Sequence, residues 1–374
     1  MAEGGTRQEG ALAVRPEPQR LAALDAFRGA TVAAMILVNN PGAGSSVYAP
    51  LEHAAWHGWT PTDLIFPFFL FLAGVSLAFS TRDSAGQAAW RALKIFALGL
   101  FGAWFLRFDL HTLRIPGVLQ RIAVCYFAAF LARKWLRPPA VALLAALLLT
   151  GYWALMTFVP LPDGTLPNLE PETNLAAWID RALLGTHLWA RSKTWDPEGV
   201  LSTLPAIATT LLGVLAGGLV RAPVTLTRKV AWLAGAGTAL LLAGLAWGRS
   251  FPLNKNLWTS SYVLFTAGLA ALLLGGLLLV TEGLGWRRWA RPFTVFGVNA
   301  IVVFVGSGLL AKTLAYVKVP SDPGPVSLQA ILHRSLFASW LPPYPASLAY
   351  ALANVAGWYL VLWWMDRRGW HVKV

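Results

Sequence analysis

Apolar residues along this 374-residue chain gather into blocks of about the same length, separated by short polar breaks. A helix needs ~20 mostly apolar residues to cross the hydrocarbon core of a bilayer. By that measure the pattern predicts ten spans, near residues 21–40, 61–80, 88–106, 116–133, 139–158, 199–220, 229–247, 257–280, 292–311 and 346–365. Proline punctuates the joints at Pro138-Pro139, between Pro160 and Pro171, at Pro223 and Pro252, and between Pro320 and Pro345. The two longest breaks, 159–198 and 312–345, are each expected to carry a short interfacial helix, at Leu175–Trp189 and Leu328–Trp340.

Composition turns this pattern into a class. Hydrophobic residues make up 56% and charged residues 13% of the chain, with a mean hydropathy of +0.56. Soluble domains average roughly 25% charged residues, so the expected fold is an all-α polytopic membrane protein, a bundle of about ten transmembrane helices. The 19 Trp agree, because indole rings favour the membrane interface. Residues 1–20 are hydrophilic and lack the pattern of a cleaved signal. The domain reading is a disordered cytoplasmic tail over 1–20, one transmembrane domain over 21–366 and a short tail over 367–374. Cys125 is alone, which excludes an intrachain disulfide and a cysteine-based metal site, and its apolar run IAVCYFAAF predicts a buried thiol.

The net charge of +13 could suggest nucleic acid, but its distribution gives a different account. Six segments that fall on one side of the predicted bundle carry three Lys or Arg each, eighteen of the thirty in the chain, against ten on the other side. Positive charge stays in the cytoplasm. Both termini are therefore expected inside, and the loop joining the first two spans outside.

That loop, Asn39 to Pro67, contains no Lys or Arg but holds Asn39, His53, His57 and Asp63. Thr60-Pro61-Thr62-Asp63 reads as a helix start with Thr60 as N-cap and Asp63 as the capping-box acid, which explains Asp63 without chemistry. Neither histidine has such an explanation. Asp25 and Arg28, at i and i+3 in the first span, share a helix face and form either a self-satisfied pair or an anchor for an anionic ligand. Further polar groups stand at outer helix starts or within spans: Gln120 and Arg121, Asp196 and Glu198, Asn254 to Asn256, and Asn299. A polar cavity opening outward accounts for such loading.

Seven ordered segments carry a resemblance: LDAFRG at 24–29, LVNN at 37–40, LEHAAWHGWTPTDLIFPFFLFLAG at 51–74, RIPGVLQR at 114–121, WDPEGVLSTLPAI at 195–207, PLNKNLW at 252–258 and FGVNAIVVFVG at 296–306. Together they resemble the heparan-α-glucosaminide N-acetyltransferase family of transmembrane acyltransferases over roughly residues 20–370. The resemblance implies transfer of an acetyl group from cytoplasmic acetyl-CoA to an acceptor amine on the far side, with the family's active-site histidine at His53 and its asparagine at Asn39. It assigns nothing to His57, where family members tend to have Asn. Lysosomal members carry a luminal domain and an additional helix before the core, whereas about 20 residues precede it here. That points to a bacterial-type member in the inner membrane with an amino-sugar or glycan acceptor.

Acyl transfer to an amine needs a base, a polarised carbonyl and a stabilised thiolate. An imidazole titrates near pH ~6.5, and a positioned general base is worth ~10²–10⁴ in rate. His53 is the expected base, Asp63 the group that orients it, and Asn39 or Asn299 the donor to the thioester oxygen. Arg28, Arg121 and Lys255 are candidates for the phosphates of CoA, with Asp25, Gln120, Asn254 and Asn299 completing the expected cofactor-binding set. The expected partners are the lipid bilayer, acetyl-CoA and the acceptor, with no nucleic acid, no metal and a homodimer as the oligomer. Direct attack and an acetyl-His53 intermediate both stay open, as do O-acetylation of a cell-surface polysaccharide and a secondary transporter.

Overall fold

Why the chain folds as it does is clearest at its centre. In the computed structural model, which describes residues 21–81, 83–322 and 324–372, the helix α2 (Ile65–Ala78) is apolar on every side and mostly buried. A helix of that kind has to be surrounded. It is packed by α1 (Ala22–Asn39), α4 (Val118–Trp135), α7 (Thr203–Arg221) and α9 (Ser260–Leu278). The remaining long helices, α3 (Ala85–Trp104), α5 (Pro138–Phe158), α8 (Leu226–Trp247) and α13 (Pro343–Arg367), form the outer layer.

Small residues let the inner helices touch backbone to backbone, as in membrane bundles generally. A Cβ at Gly74 of α2 would lie 2.0 Å from the Thr210 carbonyl oxygen of α7, and one at Gly213 of α7 would lie 2.0 Å from that of Phe71. The same holds where α1 meets α10 (Arg291–Val298): a Cβ at Gly29 would stand 1.6 Å from the Phe293 carbonyl oxygen.

Among the described residues, seven helices are long and apolar enough to cross a membrane. They are α1, α2 with its 3₁₀ lead-in from Pro61, α5, α7, α8, α9 with its π-helical extension to Gly283, and α13. The expected ninth span is broken: α10 and α11 (Ala300–Tyr316) meet at Asn299 with a bend of 69° and together make an eighth candidate. Of the ten expected spans, α3 and α4 have the length. Arg91 and Lys94 in one, and Arg121, Arg133 and Lys134 in the other, keep them less apolar than the rest.

The two long breaks contain the short helices α6 (Leu175–Leu184) and α12 (Leu328–His333), the latter running into a π-helical turn, Arg334–Ala338. A two-residue antiparallel pair, β1 (Lys318–Val319) with β2 (Val326–Ser327), closes the second break, with Lys318 opposite Ser327. The expected disordered tail over 1–20 lies outside the described residues, as do Arg82 and Lys373 of the charge count.

At the end of α2 away from the histidine loop, Arg133 of α4 donates to the Leu77 carbonyl and Arg221 of α7 to that of Ala78, each at 2.6 Å. Cations at a helix C-terminus satisfy carbonyls that lack intrahelical partners and complement the dipole. One end of the bundle is thus tied together by arginines, and the other carries the candidate site.

Candidate active site

The site is assembled at the start of α2. Pro61–Leu64 forms a 3₁₀ turn, and the Thr60 backbone N–H donates to Asp63 Oδ2 at 3.0 Å, the local contact that the capping motif predicts. The same oxygen accepts from the Ala54 N–H at 3.0 Å, and the Thr60 hydroxyl lies 3.2 Å away. With Oδ2 so occupied, Oδ1 faces His53, whose Nδ1 is 2.6 Å away. Asp63 is therefore both a helix cap and the partner of an imidazole. Its side chain is 1% exposed while that of His53 is 51% exposed. Because a carboxylate only accepts, Nδ1 carries the proton, and the lone pair of Nε2 is left for chemistry.

Lys255 comes to the same place from the loop between α8 and α9. Its Nζ lies 3.7 Å from Asp63 Oδ1, and 3.1 Å and 3.3 Å from the two ring nitrogens of His53. Burial draws the Lys255 pKa below the ordinary lysine value, while the negative charges of Asp63 and Glu198 oppose that shift. The neighbouring Asn254 accepts the Leu257 N–H on Oδ1 at 2.9 Å and brings Nδ2 to 3.3 Å from His57 Nδ1. Gly58 donates to the Leu253 carbonyl at 2.8 Å, so the two loops are joined through backbone as well. Tyr262 of α9, which sequence reasoning did not single out, donates its hydroxyl to the Asp63 carbonyl.

A second polar group lies beside the first. Arg114 forms a fork with Asp196, Nε to Oδ2 at 2.8 Å and Nη2 to Oδ1 at 2.5 Å, and Nη2 also contacts Glu198. Asp180 of α6 accepts from the Val200 N–H at 2.8 Å and the Asp196 N–H at 3.2 Å. Burial pushes its carboxyl up to about 6. Arg121 is 2% exposed, donates to the Gly199 carbonyl at 3.0 Å and lies 5.2 Å from the centre of the Trp258 ring. Its Nε and Nη1 have no hydrogen-bond partner among the described residues.

A larger cavity lies elsewhere in the bundle. It measures about 460 Å³ and is lined at its polar mouth by Asp25, Arg28, Ser76, Arg91 and Tyr126. Arg28 donates to Asp25 at 3.0 Å, as the i, i+3 spacing predicts, and to the Ser76 hydroxyl at 2.8 Å. Arg91 stands over the Tyr126 ring at 5.0 Å. Along α2 the lining runs from Phe69 to Leu77, about 12 Å at 1.5 Å per residue, and Phe69 is about 9 Å along the axis from Asp63.

The structure thus brings His53, Asp63 and Lys255 into contact and puts Asn254 on His57. It leaves Arg28 and Asp25 at the opposite end. Asn39 is exposed at the end of α1, and its neighbour Asn40 is the buried one, bonded to the Ile36 carbonyl at 2.8 Å. Gln120 is buried where Cβ atoms at Gly99 and Gly117 would strike it. Asn299 holds the C-terminal segment, donating to the Trp370 carbonyl at 3.0 Å and accepting from the Val372 N–H at 2.9 Å.

A model of the heparan-alpha-glucosaminide N-acetyltransferase catalytic family matches residues 20–250, a stretch that includes His53, Asp63, Arg121 and the Asp196–Glu198 group. The chain belongs to the heparan-alpha-glucosaminide N-acetyltransferase family. It is 30% identical to the heparan-alpha-glucosaminide N-acetyltransferase of Homo sapiens, with 77% of this chain and 53% of that protein covered. To the Mus musculus protein of the same name it is 30% identical, with 79% and 54% covered. The chain spans about half the length of these curated relatives. Family membership and the apolar helices together make it an integral membrane protein.

Proposed function

We propose that this protein is an acetyl-CoA-dependent acetyltransferase that moves an acetyl group through the membrane to an amino sugar or glycan amine. His53 is the general base of the transfer. The observation that carries the reading is the pair His53 Nδ1–Asp63 Oδ1 at 2.6 Å, with the imidazole half exposed and the carboxylate buried. A base oriented through one nitrogen and open at the other suits removal of a proton from an attacking amine. The names of the two relatives support an N-acetylated amino sugar as product class.

The cavity at the other end is the candidate site for acetyl-CoA. Arg28 and Arg91 stand at its mouth, where they would meet the phosphates with positive charge, and its walls are apolar toward Phe69 and Leu119. When bound, the cofactor supplies an activated thioester. Arg28 and Arg91 would hold its phosphates, the apolar wall from Phe69 to Leu77 would take its thioester arm, and His53 would meet the acceptor on the far side. In this reading all ten long helical segments span the membrane, both termini are cytoplasmic, and the His53 loop is extracytoplasmic at a bacterial inner membrane. Direct attack by the amine is favoured over an acetyl-His53 intermediate, because it leaves the imidazole free to act as base.

The test is transfer of radiolabelled acetyl from acetyl-CoA to glucosamine by purified protein in detergent. His53→Asn is expected to lower transfer by ~10²–10⁴ while CoA still binds. Wild-type transfer by that variant would remove His53 from the mechanism. Uptake of glucosamine into vesicles without acetyl-CoA would replace the enzyme reading with a transporter.

A further inference from the structure

Lys255 occupies a position that phosphate binding does not require. It stands at the level of Asp63, and Ser76 at the mouth of the Arg28 cavity is 13 residues further along the same helical axis, about 20 Å at 1.5 Å per residue. Near-equal distances of 3.1 Å and 3.3 Å to the two ring nitrogens of His53 cannot be met in the ring plane, where Cε1 stands between them. The amine therefore lies over the ring face. From there it does not compete for the in-plane lone pair of Nε2. One of its three donors is drawn toward Asp63 at 3.7 Å, and two remain for an oxygen beside the ring.

The backbone holds it there. Lys255 opens a tight turn in which the Trp258 N–H donates to its carbonyl at 3.1 Å and the Thr259 N–H to the Asn254 carbonyl at 3.1 Å. Trp258 closes the turn with a φ of 53°, a left-handed conformation uncommon for a bulky residue, and its ring is 1% exposed against Phe66 and Tyr262. Charged and titratable groups reach Lys255 from three elements: Asp63 from the start of α2, His53 from its loop, and Glu198 from the segment before α7.

We propose that Lys255 is a catalytic residue, donating a hydrogen bond from its ammonium to the carbonyl oxygen of the acyl thioester as negative charge develops there. This rests on the acetyltransferase reading with His53 as base. The amine lone pair of the acceptor attacks the carbonyl carbon, and the C=O π pair moves onto the oxygen, where Lys255 meets it. His53 Nε2 takes the proton of the amine. The intermediate then collapses, the C–S bond breaks, and the thiolate leaves with that electron pair and recovers the proton from His53. Lys255 keeps its protons throughout.

The test compares Lys255→Met and Lys255→Gln with the wild type by single-turnover transfer from saturating acetyl-CoA to glucosamine and by calorimetric titration with CoA. Removal of an oxyanion donor costs about 10²–10³ in rate, and that loss is expected in both variants with CoA affinity within about twofold of wild type. Weakened CoA binding with a normal single-turnover rate would make Lys255 a phosphate anchor and overturn the proposal, and so would a wild-type rate at wild-type affinity. His53→Asn, run alongside, tests the base by itself: its retention of activity would sink that reading whatever the lysine variants do.

Discussion

Asp63→Asn changes one atom and should separate the two duties of this residue. In the wild type, Oδ2 takes the Ala54 and Thr60 N–H groups while Oδ1 takes His53. The amide keeps one acceptor, and the two backbone donors at 3.0 Å hold it on the capping side. The NH₂ group then faces His53 Nδ1 as a donor, which fixes the proton on Nε2 and removes the lone pair that the mechanism needs. In the serine-protease triad the equivalent change costs ~10⁴ through the wrong tautomer. His53 is half exposed and can turn away, so a loss of ~10³ is expected here, about 4 kcal/mol in barrier height. The variant also loses an attraction between Asp63 and Lys255 that, at 3.7 Å, is worth about 4 kcal/mol before desolvation at an effective dielectric of ~20. Because part of that is returned when both charges are no longer buried together, a net destabilisation of ~1–3 kcal/mol is expected. Acetyl transfer to glucosamine and thermal unfolding in detergent read the two effects apart. Transfer within about threefold of wild type, with normal unfolding, would refute the assignment of Nε2 as the base.

Three other outcomes are expected. Gly29→Ala puts a Cβ 1.6 Å from the Phe293 carbonyl oxygen and 2.9 Å from the Gly297 nitrogen. The α1–α10 seam has to open, and a loss of ~3 kcal/mol or more is expected as a lowered Tm. Arg28→Ala, which removes the guanidinium from the cavity mouth, is expected to raise the Kd for CoA about tenfold by titration and to leave transfer at saturating acetyl-CoA nearly unchanged. Asp180, whose carboxyl is pushed from 3.8 up to about 6, stabilises the fold most when protonated. Its contribution is complete below pH ~4 and is lost as pH rises through ~6. The Tm of Asp180→Asn relative to wild type is therefore expected to climb between those values and level off above them.

The helices were legible because membrane spans need long apolar runs, and each predicted run coincides with helix. What the runs could not convey was continuity. FGVNAIVVFVG reads as one apolar stretch, yet Asn299 breaks it because its amide binds Trp370 and Val372, residues some seventy positions away. At the site, the Thr60 partner of Asp63 is local and was readable from a capping motif, whereas the Lys255 partner lies in a different loop. Arg114 with Asp196 and Glu198 was hidden for the same reason: Asp196 and Glu198 looked like the polar start of their own helix, and only the packing of α4 beside α7 joins them to Arg114. Of the cavity only Asp25 and Arg28 were legible, as a pair sharing a helix face, since Ser76, Arg91, Tyr126 and Val372 come from four separate parts of the chain.

The position of Asp63 at one end of α2 and Arg221 on the last carbonyls at the other has a consequence for energetics. On the proposed route an acetyl group leaves on the first side and a thiol is returned on the second. The hydrogen that completes the thiol comes from the acceptor amine, so an acylium equivalent moves one way and a proton the other. The exchange is electroneutral, and the one proton set free is the one that the acceptor ammonium sheds on its own side. A voltage across the bilayer would neither drive nor oppose the turnover, whereas acidity on the acceptor side would.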